Sequence, residues 1–204
     1  MADCCSSNPV FSGMDPLYKR ALKWVIAINA VMFVVEMVAG VSAGSQALQA
    51  DALDFLADSV AYGIALWAIG RAAKTRVLVA MYKALSLLLM GLWVLGSTLY
   101  QFFVIGVPEA QIMGLVGLLA LAANLLSVLI LAKYRDGDAN VRSVWLCSRN
   151  DAIGNLGVIL ASGAVWWLNS AWPDLVVALF MSGLFVWSAK SISVQAWQEW
   201  REAK

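Results

Sequence analysis

Residues 112–132 read IMGLVGLLALAANLLSVLILA, twenty-one positions from Ile112 to Ala132 without one charged side chain. A helix rises ~1.5 Å per residue, so such a run is long enough for the ~30 Å hydrocarbon core of a bilayer. Five further stretches on either side have the same character: Leu22–Val41, Ala47–Ile69, Val77–Phe103, Ser143–Leu168 and Leu175–Ile192. Short polar or turn-forming pieces separate the six, and Pro108 and Pro173 fall in these connections, where a missing backbone donor costs little. The expected fold is therefore an all-α polytopic membrane protein with six transmembrane helices.

Composition supports the same reading. The chain has 204 residues, of which 62% are hydrophobic and 13% charged. A soluble domain carries roughly a quarter charged residues, so the apolar excess calls for a second apolar solvent, the lipid bilayer. A net charge of +1 leaves no basic face to neutralise phosphates and argues against a nucleic-acid partner. Histidine is absent, and the three cysteines, two of them adjacent at Cys4 and Cys5, make no disulfide framework. The pattern divides into a polar cytosolic tail at 1–21, a six-helix membrane domain at 22–192 and a short cytosolic or interfacial helix end at 193–204.

Lysine and arginine set the orientation. Lys19, Arg20 and Lys23 precede the first span, Arg71, Lys74 and Arg76 follow the second, Lys133, Arg135 and Arg142 follow the fourth, and Lys190, Arg201 and Lys204 close the chain. The other three connections hold none, so both termini are expected in the cytosol of an inner or plasma membrane. Trp24, Trp67, Trp166, Trp167 and Trp187 fall near span ends, as interfacial aromatics do. Cleavage of the first span as a secretory signal is disfavoured, because its apolar run is long and contains Glu36.

Acids inside these spans are the functional candidates. Lys83 and Arg149 have stems long enough to snorkel to the interface. Asp54, Asp58 and Asp151 are short carboxylates deep in apolar helices, and Glu36 lies in the first span. Asp54 and Asp58 are four apart and share a helix face, where two like charges repel strongly in a low dielectric. A proton, a cation or an arginine must offset that repulsion. Cys147 and Asp151 repeat the spacing on the fifth span, with Asn150 and Asn155 beside them and Asp51 one turn from Asp54. Counting ~1.5 Å per residue from the cytosolic ends places Asp58 and Asp151 ~18 and ~12 Å deep. The second and fifth spans are the middle members of two three-helix halves, the arrangement of an inverted repeat with a site between its halves. The plainer alternative is that these acids are protonated and merely hydrogen-bond neighbouring helices.

The run from Ser45 to Asp58, SQALQADALDFLAD, resembles the second-helix motif of the cation diffusion facilitators, divalent-metal/proton antiporters with six spans and cytosolic termini. The resemblance covers nearly the whole chain. It implies that Asp54 and Asp58 of the second helix and Asp151 of the fifth ligate the metal, with Cys147 where the family has His or Asp. Asn150, Asn155 or water are alternatives for the fourth ligand, and Glu36 and Asp51 belong to the pathway or outer shell. It further implies a short form ending at Lys204 without the family's cytosolic metal-binding domain.

The expected activity is export of a divalent transition metal from the cytosol in exchange for protons, the metal being cargo and no cofactor being permanently bound. Oxygen-only ligation suits Mn²⁺ or Fe²⁺, and a thiolate from Cys147 shifts the preference to Zn²⁺ or Cd²⁺; Co²⁺ is a further candidate and Zn²⁺ is favoured. Gly91, Gly96, Gly114 and Gly117 permit close helix packing within or between chains, so a homodimer is compatible with the pattern. Two rivals remain: a non-transporting membrane scaffold whose acids pair helices, and a cation or proton channel. No phosphate loop or Ser/Lys pair at catalytic spacing points to an enzyme.

Overall fold

The first helix starts where its sequence provides a cap. Asp15 accepts the N–H of Leu17 at 2.8 Å, and Pro16 occupies the first helical position, where its missing donor is harmless. A computed structural model describes residues 15–68, 73–104, 106–134 and 139–202 of the chain. Six long helices account for nearly all of them: α1 Pro16–Ala43, α2 Gln46–Ala68, α3 Ala73–Val104, α4 Ala110–Leu131, α5 Ala139–Leu168 and α6 Trp172–Glu202. A single 3-10 turn, Ala132–Tyr134, extends α4. Cys4, Cys5, Arg71 and Arg135 lie outside the described residues, and Lys74, Arg76, Lys83, Arg142 and Cys147 are placed only along their helices.

Five helices are long and apolar enough to cross a membrane: Pro16–Ala43, Ala84–Phe103, Ala110–Tyr134, Ser148–Leu168 and Trp172–Val194. The sixth, α2, has 23 residues and therefore sufficient length, but Asp51, Asp54 and Asp58 interrupt its apolar character. It is tolerated because it is enclosed, packing against α1, α3, α5 and α6. The chain is an integral membrane protein whose polarity is inside out. Leu115, Leu129, Leu160, Trp166 and Trp167 are widely exposed, whereas Asn29, Glu36, Asp51, Gln101, Asn124, Asn155 and Asp174 are buried. Lipid outside and polar contacts inside are what an apolar solvent demands.

Helix pairing joins the two expected halves as well as building each of them. The most extensive interfaces are α3–α6, α1–α2 and α4–α5. Exchanging α1 with α4, α2 with α5 and α3 with α6 maps α1–α2 onto α4–α5 and α2–α3 onto α5–α6, and all of these pairs are in contact, as are α1–α4 and α2–α5. Close approach of α3 and α6 depends on Gly91: a Cβ there would lie 3.0 Å from Val186 Cγ2, and Ser182 donates to the Gly91 carbonyl at 2.8 Å. Gly114 and Gly117 likewise meet α5 at Ser162 and Ile159, while Gly96 faces open space. Three of the four glycines thus serve packing within the chain.

The α1–α2 corner is the most tightly specified. Gly44 takes a left-handed φ of 67°, a conformation glycine adopts without steric cost. Ser45 then caps α2, its Oγ accepting the Leu48 N–H at 3.1 Å. Asp174, from the first turn of α6, completes the cap: its carboxylate accepts the Ser45 hydroxyl at 2.6 Å, the Gln46 N–H at 2.8 Å and the Ala47 N–H at 3.0 Å. One buried charge therefore sits at the positive ends of two helix dipoles. Gln101 of α3 joins the same corner through Gln46 and the Gly44 carbonyl, and Ser97 donates to Gln46 at 2.7 Å. Asp174→Ala is expected to lower stability by about 2–3 kcal/mol in detergent unfolding, because buried donors lose a charged acceptor, and Asp174→Asn by less. Unchanged stability in the alanine variant would show that the corner does not anchor α2.

Candidate metal centre

The aspartates of α2 form a stripe because the helix repeats every 3.6 residues. Asp51 is buried on it, and Asp54 and Asp58 are half-buried one and two turns along. The stripe continues to Tyr62, a residue that sequence reasoning passed over although it extends the four-residue spacing of Asp54 and Asp58. Tyr62 is buried, donates its hydroxyl hydrogen to Asp58 Oδ2, and places its oxygen 3.5 Å from Ser148 Oγ on α5. At the other end of α2, Ala47 and Leu48 pack in one cluster with Met113 of α4 and Val158, Ala161 and Val165 of α5. These two contacts fix an antiparallel register that brings Asp151 and Asn155 level with the Asp54–Asp58 turn.

Each candidate then has a place. Asp151 is half-buried and Asn155 fully buried, with neither amide atom of Asn155 hydrogen-bonded among the described residues. Asn150 is exposed and accepts from Arg149 at 3.3 Å, on a face turned away from the α2 contact. The Cys147 backbone lies one helical turn before Asp151, its side chain being outside the description. Among the described residues no three carboxylate or thiol groups converge closely enough to hold a metal together. What the fold provides is two acidic elements on helices in contact, two aspartates from α2 and, at about the same level, one from α5.

A second acidic contact lies beside the first. Glu36 of α1 is fully buried, faces Asp51 across the α1–α2 interface, and is within electrostatic range of Asp54. Neither oxygen of Glu36 meets a hydrogen-bond donor among the described residues, nor does Asp51 Oδ2. Ionised, neither carboxylate has a donor to offer the other; a single proton or a cation between them supplies what is missing. Acid groups thus run from Asp58 through Asp54 to Asp51 and Glu36 along one side of α2. In an apolar bundle such a series is a candidate site for cations or protons.

The fold is thus a membrane bundle whose enclosed second helix carries paired aspartates and whose fifth carries another acid at about the same level. Residues 22–199 match the family described as the cation efflux transmembrane domain, and the chain belongs to that family, the cation diffusion facilitators. It is similar to the metal cation efflux system protein CzcD of Cupriavidus metallidurans, with 29% identity over 180 residues, 82% of this chain and 57% of that protein. Zinc transporter ZitB of Yersinia pestis is 29% identical over 211 residues, 94% of this chain and 65% of its own length. A cadmium, cobalt and zinc/H(+)-K(+) antiporter of Bacillus velezensis is 25% identical over 191 residues, 84% of this chain and 60% of its own. The chain spans less than two thirds of the length of these curated relatives.

Because the Glu36–Asp51 contact joins two acids, replacing one by its amide gives the other a donor. Glu36→Gln is expected to keep thermal stability or raise it by up to about 1 kcal/mol, read as a melting midpoint in detergent. A clear loss of stability would mean that the interface depends on negative charge at position 36.

Proposed function

We propose that this protein moves a divalent transition-metal cation out of the cytosol in exchange for protons, with Asp54, Asp58 and Asp151 as ligands and Cys147 as the fourth. The observation that carries this reading is the enclosure of α2: an acid pair four residues apart is held inside an apolar bundle, against the helix that supplies Asp151. Such a group of carboxylates binds protons and metal ions in competition, because a ligand must lose its proton to coordinate. Desolvation and mutual repulsion favour the protonated set when the cation leaves. A single site exposed alternately to two sides then exchanges one cargo for the other.

The membrane domain comprises 22–192, between a polar tail and a helix end at 193–204. Both termini face the cytosol of the inner or plasma membrane, as the arginine and lysine distribution supports. The corner held by Asp174 then faces outward. In that orientation Asp51, Glu36 and Asn155 line the outer part of the route. Zn²⁺ is the favoured cargo, with Cd²⁺, Co²⁺, Fe²⁺ and Mn²⁺ as other candidates. A thiolate at Cys147 favours softer ions, and relatives are named for zinc, cadmium and cobalt.

Uptake of these ions into proteoliposomes under an imposed pH gradient tests the proposal. The wild-type chain is expected to show gradient-dependent uptake, and Asp54→Asn and Asp58→Asn to lose it by at least ~100-fold while remaining folded, since a charged ligand is removed from a dry site. Undiminished uptake in Asp58→Asn would reject the ligand assignment, and a folded wild-type chain that moves no metal would favour a scaffold.

A further inference from the structure

Tyr62 stands outside the proposed ligand set, yet it hydrogen-bonds directly to a member of it, Asp58. Its ring belongs to a buried cluster with Tyr18, Leu22 and Val25 of α1 and with Leu131 and Tyr134 at the end of α4. Tyr18 and Tyr134 meet edge to face, with centroids 5.3 Å apart, and close the base of this cluster. The ring is therefore fixed by packing on one side, and its hydroxyl projects between the two ligand-bearing helices on the other. There it donates to Asp58 Oδ2 and lies 3.5 Å from the Ser148 hydroxyl, one turn before Asp151. In the orientation proposed above, Tyr62 is one turn nearer the cytosol than Asp58, so it stands between the site and the side from which cargo arrives.

We infer that Tyr62 is a positioning residue that sets cation affinity by holding Asp58 in a non-ligating hydrogen bond. This deepens the transport reading and rests on it. A carboxylate oxygen that accepts a phenolic proton has less electron density for a cation, and the bond must be released or bent before Asp58 Oδ2 can coordinate one. The bond thus stabilises the cation-free state relative to the loaded one. The consequence is a weaker but more easily emptied site, which suits a transporter that must release its cargo. The same hydroxyl lies 3.5 Å from Ser148 Oγ of α5, a second partner for its hydrogen once Asp58 is loaded.

Tyr62→Phe keeps the ring and its packing and removes only the oxygen. Zinc uptake by the full chain in proteoliposomes, measured against Zn²⁺ concentration beside Asp58→Asn, separates the outcomes. The KM of Tyr62→Phe is expected to fall about ten-fold, the size of one hydrogen bond to a charged acceptor, without a rise in maximal rate. A purely structural tyrosine would change the amount of folded protein and leave KM alone. An unchanged or higher KM in folded Tyr62→Phe, with uptake abolished in Asp58→Asn, overturns the role of Tyr62 and leaves the transport reading standing. Normal uptake in Asp58→Asn, or none in the wild type, removes the reading and this inference with it.

Discussion

A short carboxylate cannot be left in lipid, and that constraint organises the whole molecule. α2 carries three such groups, so it must be surrounded, and it packs on four of the other five helices. Enclosing one helix requires apolar neighbours whose inner faces tolerate polarity and whose outer faces do not. The inward asparagines, glutamine and serines, set against outward leucines and tryptophans, are the result. Acid placement and bundle architecture therefore have one physical cause.

The two ends of α2 are held by different means. Beyond Asp51, towards the α1–α2 corner, Ala47 and Leu48 meet Val158, Ala161 and Val165 in dry contact, and Asp174 holds the helix start through three hydrogen bonds. Beyond Asp58, towards the termini, α2 approaches α5 through the polar pair Tyr62 and Ser148. An apolar contact resists hydration and separation together, whereas a hydroxyl pair can exchange partners with water at little cost. The acids thus lie between an apolar α2–α5 contact on one side and a hydroxyl pair on the other.

The number and centres of the helices were legible because a bilayer imposes length and apolarity, whereas α1 starts at Pro16, before its expected span, and α6 runs past Ile192 to Glu202. Asp54, Asp58 and Asp151 were legible for the same reason, since each breaks an apolar run. Asp174 was not, because it sits beside a turn where an acid is ordinary in sequence; its role exists only once α6 meets the start of α2. Tyr62 escaped notice as one aromatic among many, its hydroxyl gaining meaning from α5, eighty-six residues away. Asn150 shows the converse: adjacency in sequence to Asp151 put it among the candidates, but neighbouring helix positions differ by about 100° and its side chain is exposed.

The two halves match in topology and differ in chemistry, and the difference bears on selectivity. Their equivalent helices α2 and α5 carry a four-residue pair each, two carboxylates on one and a thiol with a carboxylate on the other. On the proposed reading every hard oxygen ligand could be kept while the softness of the site rested on Cys147 alone. Oxygen donors rank first-row cations weakly by themselves, and sulfur separates zinc and cadmium from manganese and iron far more sharply. Selectivity would then be set by Cys147 on α5, while the acid pair stays on α2 and all four ligands share the proton linkage. A division of that kind lets one helix vary the cargo without disturbing the acids around which the bundle is built.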